Sequence, residues 1–188
     1  MELTKPFALH ITWTCYGTWL PGDPRGYVSN TLLPQKGYLP KENIPGTPYR
    51  ADDLLTRQRA RALQSQSTAL LSPALALRAA ESLVLAAEKR TWRILRGAVM
   101  ANHVHVVVLA CPDDGPGVRR ILKGVSQAEL SRFSGQKRRW WTAGGSDRYK
   151  HDFEAIENAV RYVANQPFML AEIEDMKPRL ISTKPSCQ

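Results

Sequence analysis

The sequence predicts an α+β sandwich, an antiparallel sheet covered by helices with a long irregular insertion after its first strand. Three observations lead there. Apolar, β-branched runs alternate with stretches of helical period in the order strand, helix, strand, strand, helix, short strands, helix. The two central runs are split only by Ala101-Asn102, a hairpin-like break. Between Leu20 and Pro48 stand six prolines and the glycines at 22, 26, 37 and 46, a density of breakers that regular elements do not tolerate. A β-α-β-β-α-β core with antiparallel pairing is the simplest closure of that order.

Taken in turn, Phe7 to Cys15 (FALHITWTC) reads as the first strand. The segment from about 20 to 72 is the insertion, with a short basic helix expected over Asp52 to Gln66. Pro73 to Arg90 carries Leu75, Ala79, Leu83 and Ala86 at helical spacing, and Pro73 suits a first turn. Trp92 to Ala101 and His103 to Ala110 form the expected hairpin. Asp113 to Gly117 reads as a loop, and Val118 to Phe133 as a helix with Ile121, Leu122, Val125 and Leu130 inward. Arg139 to Lys150 holds two short strands around Gly144-Gly145. Asp152 is placed to cap a helix over Phe153 to Gln166, which Pro167 should stop.

At 188 residues and 43% apolar, the chain fits one domain with its own core. Three cysteines without paired spacing (Cys15, Cys111, Cys187) argue against a disulfide framework and for a reducing, cytoplasmic setting. Cys111 reads as buried rather than reactive. No signal-peptide pattern opens the chain, and no run reaches the ~18 apolar residues of a membrane span. A net charge of +9 points to a polyanionic partner, nucleic acid before lipid. That charge is concentrated: residues 117 to 150 hold nine basic side chains against two acidic ones. Such a run is ordinarily a solvated face. Trp140 and Trp141 after Lys137-Arg138-Arg139 favour instead a stacking surface for unpaired bases.

The sharpest local pattern is Asn102-His103-Val104-His105. Residues two apart on a strand share a face, so His103 and His105 stand side by side, ~7 Å apart along the backbone. Two imidazoles so placed can meet one ion at ~2.1 Å. The pattern equally fits a half-buried strand whose outer face carries histidines. In Arg161-Tyr162-Val163-Ala164-Asn165-Gln166, Tyr162 and Gln166 share a helical face. A tyrosine hydroxyl can attack a metal-polarised phosphate, and a glutamine carbonyl is a hard ligand suited to Mg²⁺ or Mn²⁺. Alone, Tyr162 also fits an ordinary packing role. Taken together, two histidines and one amide oxygen leave positions open for a scissile phosphate, and Tyr162 would form a 5′-phosphotyrosine with a free 3′-hydroxyl. No phosphate-binding G-x-x-x-x-G-K-[ST] loop and no H-E-x-x-H zinc motif is present. His10 and His151 lie elsewhere in the sequence and could approach the site, but for each a satisfied structural histidine is the reading ahead of a ligand.

Val99-Met100-Ala101-Asn102-His103-Val104-His105 resembles the M-P-N-H-V-H strand of the HUH endonuclease superfamily, in particular the REP-associated tyrosine transposases and the insertion-sequence single-strand transposases. His10-Ile11-Thr12-Trp13, followed by Tyr16-Gly17-Thr18-Trp19-Leu20-Pro21-Gly22-Asp23, resembles their first strand and loop. Arg161 to Pro167 resembles their tyrosine-bearing helix. The resemblance spans about residues 7 to 170 and departs at Ala101, where the family carries proline. It implies a ferredoxin-like antiparallel sheet with helices packed on one face. It also implies a divalent metal held by His103, His105 and Gln166, with Tyr162 as nucleophile, and cleavage of single-stranded DNA beside a hairpin. The nucleic-acid surface is expected from Arg119, Arg120, Lys123, Lys137, Arg138, Arg139, Trp140, Trp141, Arg148 and Lys150. A domesticated hairpin-binding protein without cleavage activity is the alternative. Both monomers and homodimers fit the pattern.

Overall fold

A computed structural model describes residues 7–23, 32–33, 37–38, 53–109 and 114–181. The predicted elements are β1 (Ala8–Thr14), α2 (Pro73–Glu88), β4 (Arg93–Met100), β5 (His103–Leu109), α3 (Gly115–Ser134), β6 (Ser146–Lys150) and α4 (Phe153–Ala164). The short basic helix is α1 (Leu54–Ala62). Two strands beyond Pro167 were not expected, β7 (Met169–Glu174) and β8 (Lys177–Leu180). All pairings are antiparallel, in the order β6-β1-β5-β4-β7-β8. The first four strands of that order are the ferredoxin-like arrangement, and β7 and β8 extend the sheet beyond β4.

Period-2 alternation divides the sheet into two unlike faces. Leu9, Ile11 and Trp13 of β1 and Val104, Val106 and Val108 of β5 point to one face, where α2 and α3 cover them. On α2, Ala76, Ala79, Ala80, Leu83 and Ala87 form the inward stripe. Gly97 of β4 leaves room for the side chain of its partner Ile173 on β7: a Cβ there would lie 3.0 Å from Ile173 Cδ1. Ser72 caps α2 by accepting the Leu75 N–H, and Pro73 occupies its first turn.

Several expectations are corrected. The two helices of the ferredoxin-like core share one face as expected, and α4 adds to them on the opposite side, where Ile156, Ala159 and Val163 meet Ala8, Ala98, Met100 and Val107. The stretch read as a loop over Asp113 to Gly117 already belongs to α3 from Gly115 onward. Asp114 accepts the Gly117 N–H and Pro116 sits in the first turn. Val125 faces outward rather than into the core. Among the described residues of the proline-rich stretch is a small ladder, β2 (Leu32–Leu33) against β3 (Gly37–Tyr38), too short to leave a periodic signal. The prolines at 24, 34, 40, 45 and 48, with Cys111 and Cys187, lie outside the described residues.

Beyond β4 the sheet is held partly by charge. Glu172, 3% exposed, accepts hydrogen bonds from Arg96 and, at 2.5 Å, from Arg179 Nε. A buried carboxylate with two guanidinium partners has its lone pairs satisfied, which offsets the cost of desolvating it.

Candidate active site

The candidate site lies on the sheet face opposite α2 and α3. His10 and Thr12 of β1 and His103 and His105 of β5 share that face, because Thr12 pairs with His105 and Thr14 with His103 in an antiparallel register. The imidazoles of His103 and His105 lie 5.1 Å apart, and those of His10 and His105 5.3 Å apart. Tyr162, in the last turn of α4, sets its ring edge-on to both His10 and His105 at 5.7 Å. It is 55% exposed, so an approaching strand can reach it.

Each predicted histidine is held by its Nδ1 edge. His103 Nδ1 lies 2.7 Å from Asn102 Oδ1, a pure acceptor, so that nitrogen carries the proton. His105 Nδ1 lies 2.9 Å from Thr12 Oγ1 and 3.1 Å from His10 Nε2. Metal-binding histidines are ordinarily oriented in this way, by a protein partner on one ring nitrogen. The turn that delivers His103 is clamped as well. The Ala101 carbonyl accepts from Leu71 N–H, and the Asn102 carbonyl accepts from Cys15 N–H at 2.8 Å and Thr18 Oγ1 at 3.2 Å. Leu71 and Ala69, buried at the end of the 64–71 segment, thus tie the insertion to the site.

Burial lowers His105 to about 3, helped by the neighbouring His103, His10 and Arg148. Burial likewise lowers His10 to about 4, with Lys150 and Arg148 adding to the effect. Both rings are therefore neutral at neutral pH, the state in which imidazole ligates metals. Acid should destabilise the metal-free protein. An unfolded chain takes up these two protons as pH falls below the ordinary histidine value of 6.5, while the native site refuses them down to about 4 at His10 and about 3 at His105. Stability is full above 6.5 and lost through that window. Thermal midpoints of chelator-treated protein between pH 7.5 and 4 test this, and His105→Gln should show a flatter profile. Equal slopes for the two proteins would contradict it.

The structure separates the predicted nucleic-acid residues. Arg148 pairs with His10 and Lys150 with Ala8 in the β1–β6 register, which sets both cations on the histidine face. Arg120, Lys137 and Arg139 are exposed. Arg139 lies over the Tyr16 ring at 5.4 Å. Three others work within the fold. Arg119 pairs with Asp147. Lys123 Nζ donates to the carbonyls of Thr142, Ala143 and Gly144, using all three of its protons. Arg138 donates to Ser67 O and lies over the Trp140 ring. Trp140 and Trp141 are not a stacking platform: they are 2% and 4% exposed. Trp141 donates Nε1–H to Ser126 Oγ and meets Trp13 edge-on at 5.9 Å, and Trp140 donates Nε1–H to Ser131 Oγ. An open groove of about 730 Å³ along α3 is bordered by Arg119, Arg120, Lys123 and Arg139.

The helix expected through Gln166 ends at Ala164 with Asn165 as its C-cap, so Gln166 lies just beyond it, and its amide nitrogen donates back to the Tyr162 carbonyl at 3.2 Å. Among the described residues no group of three or more His, Cys, Asp or Glu side chains is arranged to hold a metal. A cation here would rest on imidazole plus a neutral oxygen. No sequence pattern assigns a site role to Thr12, Thr18 or Leu71, and His10, expected to be structural, faces His105. The two-residue spacing of His10, Thr12 and Thr14 was visible, but only the strand pairing places it against His105.

No protein-family model matches the chain, and no curated protein matches it. Among solved structures, that of a REP-associated tyrosine transposase bound to a REP hairpin is similar over 88% of this chain and 76% of that one. The sequence identity is 14% and the TM-score 0.43. The strand order and the site geometry described above are independent of that similarity. No described helix is long and apolar enough to cross a membrane.

Proposed function

We propose that the chain is a metal-dependent single-tyrosine endonuclease and strand transferase acting on single-stranded DNA near hairpins. One observation carries the reading: Tyr162 stands against His105, itself beside His103, on a face that also holds Arg148. A nucleophile, a pair of metal-type imidazoles and a phosphate-binding cation are what such a reaction requires.

The donor chemistry fits a divalent ion such as Mg²⁺ or Mn²⁺. His103 and His105 have their Nδ1 edges engaged by the protein, and Gln166 has its amide nitrogen turned to the helix. Ligation would therefore use the two Nε2 atoms and the Gln166 oxygen. When bound, the ion supplies Lewis-acid stabilisation of charge on the phosphate oxygens. Tyr162 Oη then bonds to phosphorus as the P–O3′ bond breaks. The bond's electrons leave on the 3′ oxygen, which gains a proton, while the phenol proton goes to solvent. The 5′-phosphotyrosine conserves the phosphodiester for rejoining to another 3′-hydroxyl. Arg148 neutralises phosphate beside the cut, and the groove along α3 receives the backbone of the flanking strand through Arg120 and Arg139.

The test is a denaturing gel of labelled hairpin oligonucleotides, taken from the DNA flanking the gene, incubated with protein and Mn²⁺ or Mg²⁺. A shortened strand together with a protein-linked band supports the reading. Hairpin binding with no cut strand in any metal would establish the alternative, a recognition protein without cleavage.

A further inference from the structure

We propose that His10 is a positioning residue for the metal site, acting as the acceptor that fixes the tautomer of His105. This rests on reading His103 and His105 as the ligand pair. His10 Nε2 and His105 Nδ1 are 3.1 Å apart, with both rings 7% exposed. At that distance two neutral imidazole nitrogens must take opposite roles, one carrying the proton and the other the lone pair. Two protons would clash, and two lone pairs would leave buried acceptors unpaired.

The consequence runs through the ring. A neutral imidazole has one proton, so His105 presents a lone pair at Nε2 only if Nδ1 is protonated. Nδ1–H must then donate, and His10 Nε2 must accept. Thr12 Oγ1, at 2.9 Å, does not decide the matter, because a hydroxyl both donates and accepts. His10 is restricted where Thr12 is not: with its proton on Nδ1 its Nε2 is an acceptor alone, so the two rings set their tautomers together. A cation at His105 Nε2 and a proton at His10 Nδ1 are therefore linked states. The place of His10 is set by the sheet, in register with Val107 on one side and Arg148 on the other. Its ring also packs edge-on against Tyr162, so the imidazole that fixes the ligand also borders the nucleophile.

Three measurements test this. Long-range ¹H–¹⁵N spectra of the histidine rings, recorded on full-length protein with excess Mg²⁺, should show His10 protonated at Nδ1 and bare at Nε2. The opposite His10 tautomer in the metal-loaded protein would overturn the proposal. Calorimetric titration with Mn²⁺ should show affinity lower by about 10–100-fold in His10→Phe, which keeps a ring and removes the acceptor. His10→Gln, whose amide oxygen restores an acceptor, should recover part of that loss. Unchanged affinity in His10→Phe, with binding still abolished in His105→Ala, would overturn this inference alone. Binding indifferent to His105→Ala would overturn the metal reading beneath it. In Co²⁺-loaded protein the visible bands of wild type and His10→Gln should coincide, and displaced bands would make His10 a ligand itself and refute the positioning role.

Discussion

Tyr162→Phe is expected to fold and to bind hairpin DNA as the parent does, and to cut none of it. The substitution removes one oxygen and keeps the ring, so the edge-on contacts with His10 and His105 at 5.7 Å survive. The residue is more than half exposed, and truncating an exposed hydroxyl changes stability by no more than about 0.5 kcal/mol. No other group in the variant supplies the same bond to phosphorus, so both the shortened strand and the protein-linked band should vanish together. A gel-shift titration on the same oligonucleotide should give a dissociation constant within about twofold of wild type, since the missing oxygen contributes chiefly to the reaction. Cutting at the parental rate by Tyr162→Phe would remove Tyr162 from the mechanism.

Trp141→Ala should act on the fold first. The indole is 4% exposed, donates to Ser126 Oγ at 3.1 Å and packs edge-on against Trp13. Removing it leaves a cavity between α3 and the sheet and takes from Ser126 Oγ the N–H it accepts, although that hydroxyl still donates to the Leu122 carbonyl at 2.8 Å. Buried tryptophan-to-alanine changes cost about 3–5 kcal/mol. In a chain of this size that lowers the melting midpoint by on the order of 10 °C. A tryptophan that stacked on bases at the surface would behave in the opposite way, with DNA affinity lost and the midpoint unmoved. Thermal melts of Trp141→Ala beside hairpin affinity measured well below its midpoint separate the two, and an unmoved midpoint with weakened binding would restore the surface role.

The two tryptophans show where sequence patterns mislead. Cations followed by aromatics look the same whether the rings face solvent or the core. The deciding contact, the bridge between Trp141 and Cys15, links residues far apart in the chain. The central strands were legible because Leu9-Ile11-Trp13 and Val104-Val106-Val108 alternate cleanly over a buried face. The helix over 153 to 164 was legible from its Asp152 cap, which accepts the Ala155 N–H at 2.7 Å. The last hairpin was not. Its strands carry Glu172, Glu174 and Arg179, which read as solvated until Arg96 is placed beside them. Its turn uses Asp175 and Met176 at φ of 44° and 65°, where Asn-Gly would have announced it. Of the site, the histidine pair and Tyr162 were readable as spacing on single elements. His10 and Thr12 were not, because their role exists only in the register between β1 and β5.

The unequal covering of the two sheet faces also sets a hierarchy of motion. Beneath α2 and α3 lie tryptophans, leucines and isoleucines in one continuous core, whereas α4 is seated by Ile156, Ala159 and Val163 with few large side chains beneath. The helix bearing Tyr162 is thus expected to lift from the sheet at a smaller free energy than global unfolding requires, as an independent unit. Native-state hydrogen exchange should find its amides less protected than those of β4 and β5 by at least about tenfold, and equal protection would contradict this. On the proposed reading, a nucleophile on a helix seated more lightly than α2 and α3 would follow a covalently attached strand end away from one 3′-hydroxyl and toward another while the histidines stay fixed in the strands.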